Sequence, residues 1–167
     1  TARHRVLCST YSDAIDIDFS NGTMTDISIY NAGNDGIDVS GSQIHLTNIY
    51  IDKSGDKAIS SGEASQMEIK NIQIYDSEIA FASKDNATIN ADQVSVSSAN
   101  VGFVVFQKKS EYGPGNMIIS NLKEHHIIKR TLIEKNSLLI LNGTKIQPNT
   151  KKVKNVLYGK QYGKASK

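Results

Sequence analysis

Three kinds of residue are scarce in this 167-residue chain: it has one cysteine, two prolines and no tryptophan. A single cysteine, Cys8, excludes an internal disulfide framework. No stretch reaches the roughly 18 apolar residues that a membrane-spanning helix needs, and no signal peptide is visible. Hydrophobic residues make up 38% of the chain, which is enough for a folded core and excludes a chain that is disordered by composition.

The net charge of +2 conceals an uneven distribution of charge along the chain. Residues 1–107 contain 6 basic and 14 acidic residues, whereas residues 108–167 contain 13 basic and 3 acidic ones. This asymmetry predicts either two surfaces with different partners or a basic, solvated end on an acidic domain.

A 22-residue repeat is the most informative feature of the sequence. Five segments with alternating apolar positions each begin 22 residues after the last: 13–18, 35–40, 57–62, 79–84 and 101–106. Alternation with a period of two predicts strands, and 22 residues are too few for a strand–helix–strand unit of about 30 residues. The spacing predicts an all-β fold, a right-handed, single-stranded parallel β-helix with a C-terminal cap, in which each coil pairs with its neighbours.

Equivalent residues of successive coils should stack inside such a solenoid. One apolar column consists of Ile15, Ile37, Ile59, Phe81 and Phe103. A polar residue precedes a second apolar run in each coil, and Asn48 and Asn71 at this place predict an asparagine ladder.

The repeat weakens after Gln107, although residues 117–122 fit a sixth coil. We therefore predict β-helix coils over residues 1–122, a C-terminal coil or cap over residues 123–157 and a basic tail over residues 158–167. The chain also begins inside the repeating pattern, and we expect it to be part of a larger protein.

Two features of the C-terminal half predict how the solenoid ends. Residues 137–141 and 144–146 flank Asn142-Gly143, which is typical of a hairpin with a tight turn. Val104 and Phe106 should face outward on the fifth coil, so we expect the cap or a partner to cover them.

Carboxylates collect on the predicted outer face of the first three coils. Strands in a sheet lie about 4.8 Å apart, so carboxylates in equivalent positions repel one another unless a cation, a base or a raised pKa relieves them. Three explanations remain open: calcium binding through hard oxygen ligands, an acid and a base for glycoside cleavage, and solvated or turn-capping aspartates. The candidate calcium ligands are Asp13, Asp16, Asp35 and Asp38, and no cofactor is required.

Two segments on this face, Asn34-Asp-Gly-Ile-Asp38 and Gly55-Asp-Lys-Ala-Ile-Ser60, resemble the Asn-Thr-Asp-Gly and Gly-Asp-Asp segments of polygalacturonase-type glycoside hydrolases. Those enzymes are right-handed β-helices of the pectin-lyase-like superfamily. The resemblance implies catalytic roles for Asp35, Asp56 and the position held by Lys57. A lysine here departs from the acid of that family, and the later Gly-His-Gly and Arg-Ile-Lys segments are missing. Whether the chain is an enzyme therefore stays open.

Residues 12–122 more broadly resemble bacterial secreted or surface proteins that are described only as right-handed β-helix repeat proteins. Recurring strings such as residues 55–60 and 107–113 carry this resemblance. It implies a secreted or cell-surface location and an association with polysaccharide, without implying a reaction.

Lysines and a tyrosine border the same predicted face. A lysine beside carboxylates acts as a base or neutralises a uronate in some polysaccharide-active proteins, but elsewhere it only balances charge. The candidate substrate-binding residues are Asp16, Asp38, Lys84, Lys108 and Tyr112. Nucleic acid is not an expected partner, because few aromatic residues are interleaved with the basic C-terminal residues.

These observations predict an extracellular, carbohydrate-associated β-helix that binds polysaccharide or serves as a structural spacer. The alternative is a polysaccharide-active enzyme, namely a lyase, an epimerase or a glycoside hydrolase that acts on an acidic glycan.

Overall fold

The chain winds into an all-β, parallel solenoid of about six coils, each of about 22 residues. The computed structural model describes residues 2–159, with side chains described from Ser9 onward. A short helix, α1, spans Val153–Leu157. The strands are β1 (Ala2–Thr10), β2 (Ile15–Asp18), β3 (Asn21–Ala32), β4 (Ile37–Ser40), β5 (Gln43–Gly62), β6 (Gln66–Lys84), β7 (Thr88–Phe106), β8 (Asn116–Ile133), β9 (Leu138–Leu141) and β10 (Thr144–Ile146).

Parallel pairing between successive coils confirms the predicted apolar column. Ile15 pairs with Ile37, Ile37 with Ile59, Ile59 with Phe81, and Phe81 with Phe103. The last four of these side chains are fully buried, whereas Ile15 is partly exposed in the first coil. The rings of Phe81 and Phe103 stack with centroids 5.9 Å apart and planes 19° apart. The members of this column lie 22 residues apart and pair in register, which is why the 22-residue spacing predicts the fold.

The predicted asparagine ladder is also confirmed. Asn71 Nδ2 donates to Asn48 Oδ1 at 2.9 Å, and Asn48 Nδ2 donates to Asp26 Oδ1 at 2.9 Å. All three residues turn the chain with φ between 56° and 60°. L side chains rarely adopt this left-handed region, and short polar side chains tolerate it best because they hydrogen-bond locally.

Strand β8 runs through residue 122, after which we predicted a C-terminal coil or cap. Strand β8 continues to Ile133 and pairs with β7 as far as Val105. Strand β9 pairs with β8 only over Asn116–Ile119, so within the described residues no further coil covers the second half of β8. Glu124 therefore takes the inward position of Val96 and pairs with Arg130 at 2.7 Å. Such polar residues at inward positions made the repeat hard to follow in the sequence.

The C-terminal end forms a cap from a hairpin and a helix. Strands β9 and β10 pair antiparallel around Asn142-Gly143, as predicted. Helix α1 lies on the outer face of the later coils, and its Val153 and Leu157 are buried there. The residues that they cover are Ile79, Ala82, Val101, Val104, Phe106 and Leu132. The expected coverage of Val104 and Phe106 is thus confirmed, and the cap supplies it.

The helices of the described part of the chain are too short to cross a membrane. Residues 160–167, most of the predicted basic tail, lie outside the described residues.

Candidate functional site

The outer face of the first strand in each coil changes from polar to apolar along the solenoid. One column of paired positions runs through Asp16, Asp38, Ser60, Ala82 and Val104. Helix α1 covers the apolar half of this face and does not extend over the polar half. The charged cluster, as we name it here, occupies this polar half and its border and consists of Asp35, Asp38, Asp56, Lys57, Lys84, Lys108 and Tyr158.

Lys57 is a buried cation shared by two buried carboxylates. Its Nζ lies 2.5 Å from Asp56 Oδ2 and 3.5 Å from Asp35 Oδ1. Asp35 Oδ1 also accepts the backbone N–H of Lys57 at 2.9 Å. Only 3% of Asp35, 7% of Asp56 and 5% of Lys57 is exposed, so the three predicted catalytic residues form an internal ion-pair network. Charge balance within the fold accounts for this arrangement.

The two carboxylates of this network are not equivalent. Desolvation raises the pKa of Asp35 to about 6, because burial outweighs the attraction of Lys57, and Asp56 and Asp38 add repulsion. Burial also opposes the charge of Lys57, but the attraction of Asp35 and Asp56 raises its pKa above the ordinary value. Two carboxylates therefore share the Lys57 ammonium, and Asp56 lies closer to it than Asp35 does.

We expect the free energy of unfolding to fall as pH rises through the pKa of Asp35. The folded chain binds this proton more tightly than the unfolded chain, in which the pKa is near 3.8. The stabilisation is complete below pH 3.8 and is lost as pH rises through about 6, at a cost of roughly 3 kcal/mol. Urea unfolding from about pH 4 to 7 checks this, with Asp35→Asn as the reference that cannot titrate. If the free energies of unfolding of the two proteins differ by the same amount at every pH, the raised pKa does not belong to Asp35.

Lys84 reaches from the fourth coil towards the second. Its Nζ donates to Ser60 Oγ at 2.7 Å and lies 3.5 Å from Asp38 Oδ1. The side chain passes over Gly62, where an added Cβ would lie 3.0 Å from Lys84 Cε. A residue without a side chain at Gly62 thus makes room for Lys84 to join the cluster.

Lys108 is partly buried and, among the described residues, has no carboxylate within ion-pair distance. Its Nζ lies 5.0 Å from the centroid of the Tyr158 ring. Desolvation lowers the pKa of Lys108, and the neighbouring charges of Lys84 and Lys57 lower it further. The surroundings of this ammonium are therefore electropositive and favour an added anion.

Tyr158 is a member of the cluster that the sequence did not reveal, because it lies in the predicted basic tail. It directly follows α1, whose buried Val153 and Leu157 hold this segment against the solenoid. Its ring centroid lies 6.0 Å from Lys57 Nζ and 5.0 Å from Lys108 Nζ, and 36% of the residue is exposed. Burial raises the pKa of Tyr158 despite the opposing charge of Lys57, so its hydroxyl stays protonated near neutral pH. The only sequence signal is that a tyrosine follows Val153 and Leu157.

Three of the four candidate calcium ligands lie together. Carboxylate oxygens of Asp13, Asp16 and Asp38 lie within 4.8 Å of one another, whereas Asp35 belongs to the Lys57 network. Desolvation, followed by repulsion from Asp18, Asp38 and Asp13, raises the pKa of Asp16. Asp13 Oδ1 accepts the Asn34 amide at 2.5 Å and the Asp35 N–H at 2.9 Å, so it joins the first coil to the second and does not cap its own turn through this oxygen.

The remaining candidate, Tyr112, lies on the loop of residues 107–115 that borders the cluster. Its carbonyl oxygen accepts the Gln107 amide at 2.5 Å, and Lys109 on the same loop pairs with Glu63. Asp16 lies at the other end of the polar face, where it pairs with Asp38 in the neighbouring coil. The predicted binding residues therefore extend along the solenoid from the first coil to this loop.

A groove of about 400 Å³ lies on another face of the solenoid. Its lining includes Lys53, Asp76, Glu78, Asn100, His126 and Ile128, and none of the predicted site residues. The charged cluster is the candidate site because of its buried charges and not because of its concavity.

Comparisons of the chain with protein-family models, curated proteins and solved structures found no match. Membership of the pectin-lyase-like superfamily therefore stays a prediction.

Proposed function

We propose that this chain binds an acidic polysaccharide through the charged cluster. The observation that carries the proposal is the partly buried ammonium of Lys108, which lies beside Lys84 and the ring of Tyr158 and lacks a carboxylate partner in the described structure. A desolvated cation next to other cations is stabilised when an anion binds, and charge-assisted hydrogen bonds are the strong ones. A carboxylate of the ligand would pair with the Lys108 ammonium, which has no carboxylate partner in the described structure.

The chemistry around Lys108 suits a uronate better than a free inorganic anion. Tyr158 presents a partly exposed ring at the same place, and an aromatic side chain combines an apolar face with a polar edge. A sugar acid has a charged carboxylate on a ring that also bears C–H groups, so the ammonium and the ring would contact different parts of it. The polygalacturonase-like segments around Asp35 and Asp56 support the same ligand class and a secreted or surface location.

A polysaccharide-active enzyme is the second candidate, and the geometry of the cluster bears differently on each reaction class. Inverting glycoside hydrolases separate their carboxyl groups by roughly 6.5–9.5 Å to admit a water. Asp35 Oδ1 and Asp56 Oδ2 both contact one ammonium and so lie closer together than this. The remaining enzyme candidate is a lyase or epimerase on a polyuronate, in which Lys108, whose pKa desolvation lowers and which lies beside the Tyr158 ring, would act as the base. New unsaturated ends in a polyuronate, absent with Lys108→Gln, would establish a lyase, and inversion at C5 without new chain ends would establish an epimerase.

We expect Lys108→Gln to weaken the binding of polygalacturonate oligosaccharides by roughly 10- to 100-fold, which corresponds to one lost charged hydrogen bond. Isothermal titration at low and high salt measures this effect, since binding between charges should weaken as salt increases. Lys70→Gln is the matched control, because it removes an equal charge from an exposed position in β6.

Equal binding by wild type and Lys108→Gln would overturn the proposal, and so would equal affinity for a neutral dextran. The same titrations with millimolar calcium and with a chelator test the candidate calcium ligands. If the wild type shows a heat of calcium binding that Asp16→Asn and Asp38→Asn abolish, these aspartates bind calcium. If the wild type shows no such heat, the calcium hypothesis is wrong.

A further inference from the structure

We propose that Asp85 is the positioning residue of the anion site, because its carboxylate fixes the loop that carries Lys108. This inference rests on the proposed function. Asp85 directly follows β6 and is fully buried. Its Oδ1 accepts the backbone N–H of Lys108 at 2.7 Å and that of Lys109 at 2.8 Å. A carboxylate that accepts two consecutive backbone N–H groups determines where the loop starts and how it is oriented.

The side chains of Lys108 and Lys109 extend in different directions from the backbone that Asp85 binds. Lys108 extends towards the Tyr158 ring, 5.0 Å from its Nζ, whereas Lys109 pairs with Glu63. Lys109 therefore has its own carboxylate, and Lys108 is the lysine available to a ligand. The carboxylate of Asp85, which holds the backbone of both lysines, thus decides which of them enters the charged cluster.

Other contacts hold the rest of the loop against the same turn. The backbone N–H of Asn86 donates to the Gly113 carbonyl at 3.0 Å, and that of Gly115 donates to the Phe106 carbonyl at 3.0 Å. An added Cβ at Gly115 would clash with the backbone carbonyl of Ser83. The loop therefore lies directly on the end of β6, and a methyl group at Gly115 would push it away without changing any charge.

The second carboxylate oxygen of Asp85 has surroundings that are unusual for a residue with a purely structural role. Oδ2 is buried and has no hydrogen-bond partner among the described residues. A buried carboxylate oxygen without a partner is costly to stability. The negative charge also attracts Lys108 and partly offsets the repulsion from Lys84 and Lys57. The Asp85 carboxylate thus binds the backbone N–H of Lys108 and also attracts its ammonium.

The test compares affinity with local hydrogen exchange in Asp85→Ala and Gly115→Ala. We expect both to weaken polygalacturonate binding at least fivefold and to speed exchange of the Lys108 and Lys109 amides. Exchange in the core of β6 and β7 should stay slow, which shows that the fold persists. Gly22→Ala is the matched control for Gly115→Ala, because an added Cβ there has no neighbour within 4 Å. Should Asp85→Ala fail to fold, Asp85→Asn replaces it, because the amide keeps an oxygen acceptor for the two N–H groups and removes the charge.

The outcomes separate this inference from the proposed function. Wild-type affinity in Asp85→Ala and Gly115→Ala, together with weak binding by Lys108→Gln, would overturn the role of Asp85 and leave the function standing. Wild-type affinity in Lys108→Gln would overturn the function itself. Faster exchange at Lys108 and Lys109 with a matching loss of affinity supports both.

Discussion

Replacing Lys57 by methionine is expected to lower the free energy of unfolding by roughly 3–5 kcal/mol at neutral pH. The substitution leaves Asp35 and Asp56 buried, 3% and 7% exposed, without the cation that they share. Breaking a buried ion pair by removing one partner costs this much because an uncompensated charge remains in the interior.

Urea unfolding at about pH 5 and pH 8 measures the effect and its cause. Asp35, whose pKa is already raised to about 6, takes up a proton more readily without Lys57, so the loss should be smaller at the lower pH. Lys70→Met is the control, since it removes an exposed lysine from β6 and should change stability by less than about 0.5 kcal/mol. A loss below about 1 kcal/mol at both pH values would show that the network is solvated.

The second large effect concerns the core: Phe103→Ala should lower the free energy of unfolding by roughly 3–5 kcal/mol. Phe103 is fully buried and its ring stacks on that of Phe81 in the neighbouring coil. Truncation leaves a cavity that the stacked coils cannot close without disturbing the strand register. Phe103→Leu retains most of the volume and should cost less.

Phe19→Ala is the comparison for this measurement, because Phe19 is 77% exposed in the first coil and should cost less than about 1 kcal/mol. If Phe103→Ala and Phe19→Ala cost the same, the column of Ile15, Ile37, Ile59, Phe81 and Phe103 is not the core. The solenoid would then be refuted along with the site that it positions.

Part of the candidate site could be predicted from the sequence because its residues belong to the repeat. Asp35, Asp56 and Lys57 occupy related positions in successive coils, so the spacing alone places them near one another. Their mutual pairing and burial could not be read from the sequence, because burial depends on what covers the outer face. The contact between Lys57 and Tyr158 joins residues about a hundred positions apart and has no repeat to predict it.

The same reasoning explains the boundary after residue 122. In the described structure no strand pairs with β8 beyond Ile119 on the side away from β7, so apolar periodicity is not required there, and Glu124 stands where the preceding coil has Val96. A strand that pairs on one side only keeps its backbone geometry without the side-chain pattern by which strands are recognised.

The sequence by itself determined that this protein is a parallel β-solenoid, because like residues recur at 22-residue intervals over the first five coils and stack there. It also determined which aliphatic and aromatic side chains lie inside. Only the tertiary structure decided that helix α1 folds back on the later coils, that Tyr158 meets Lys57 and Lys108, and that Asp85 anchors the loop. These contacts join elements at unrelated sequence distances, and their energies come from burial and charge that no local pattern records.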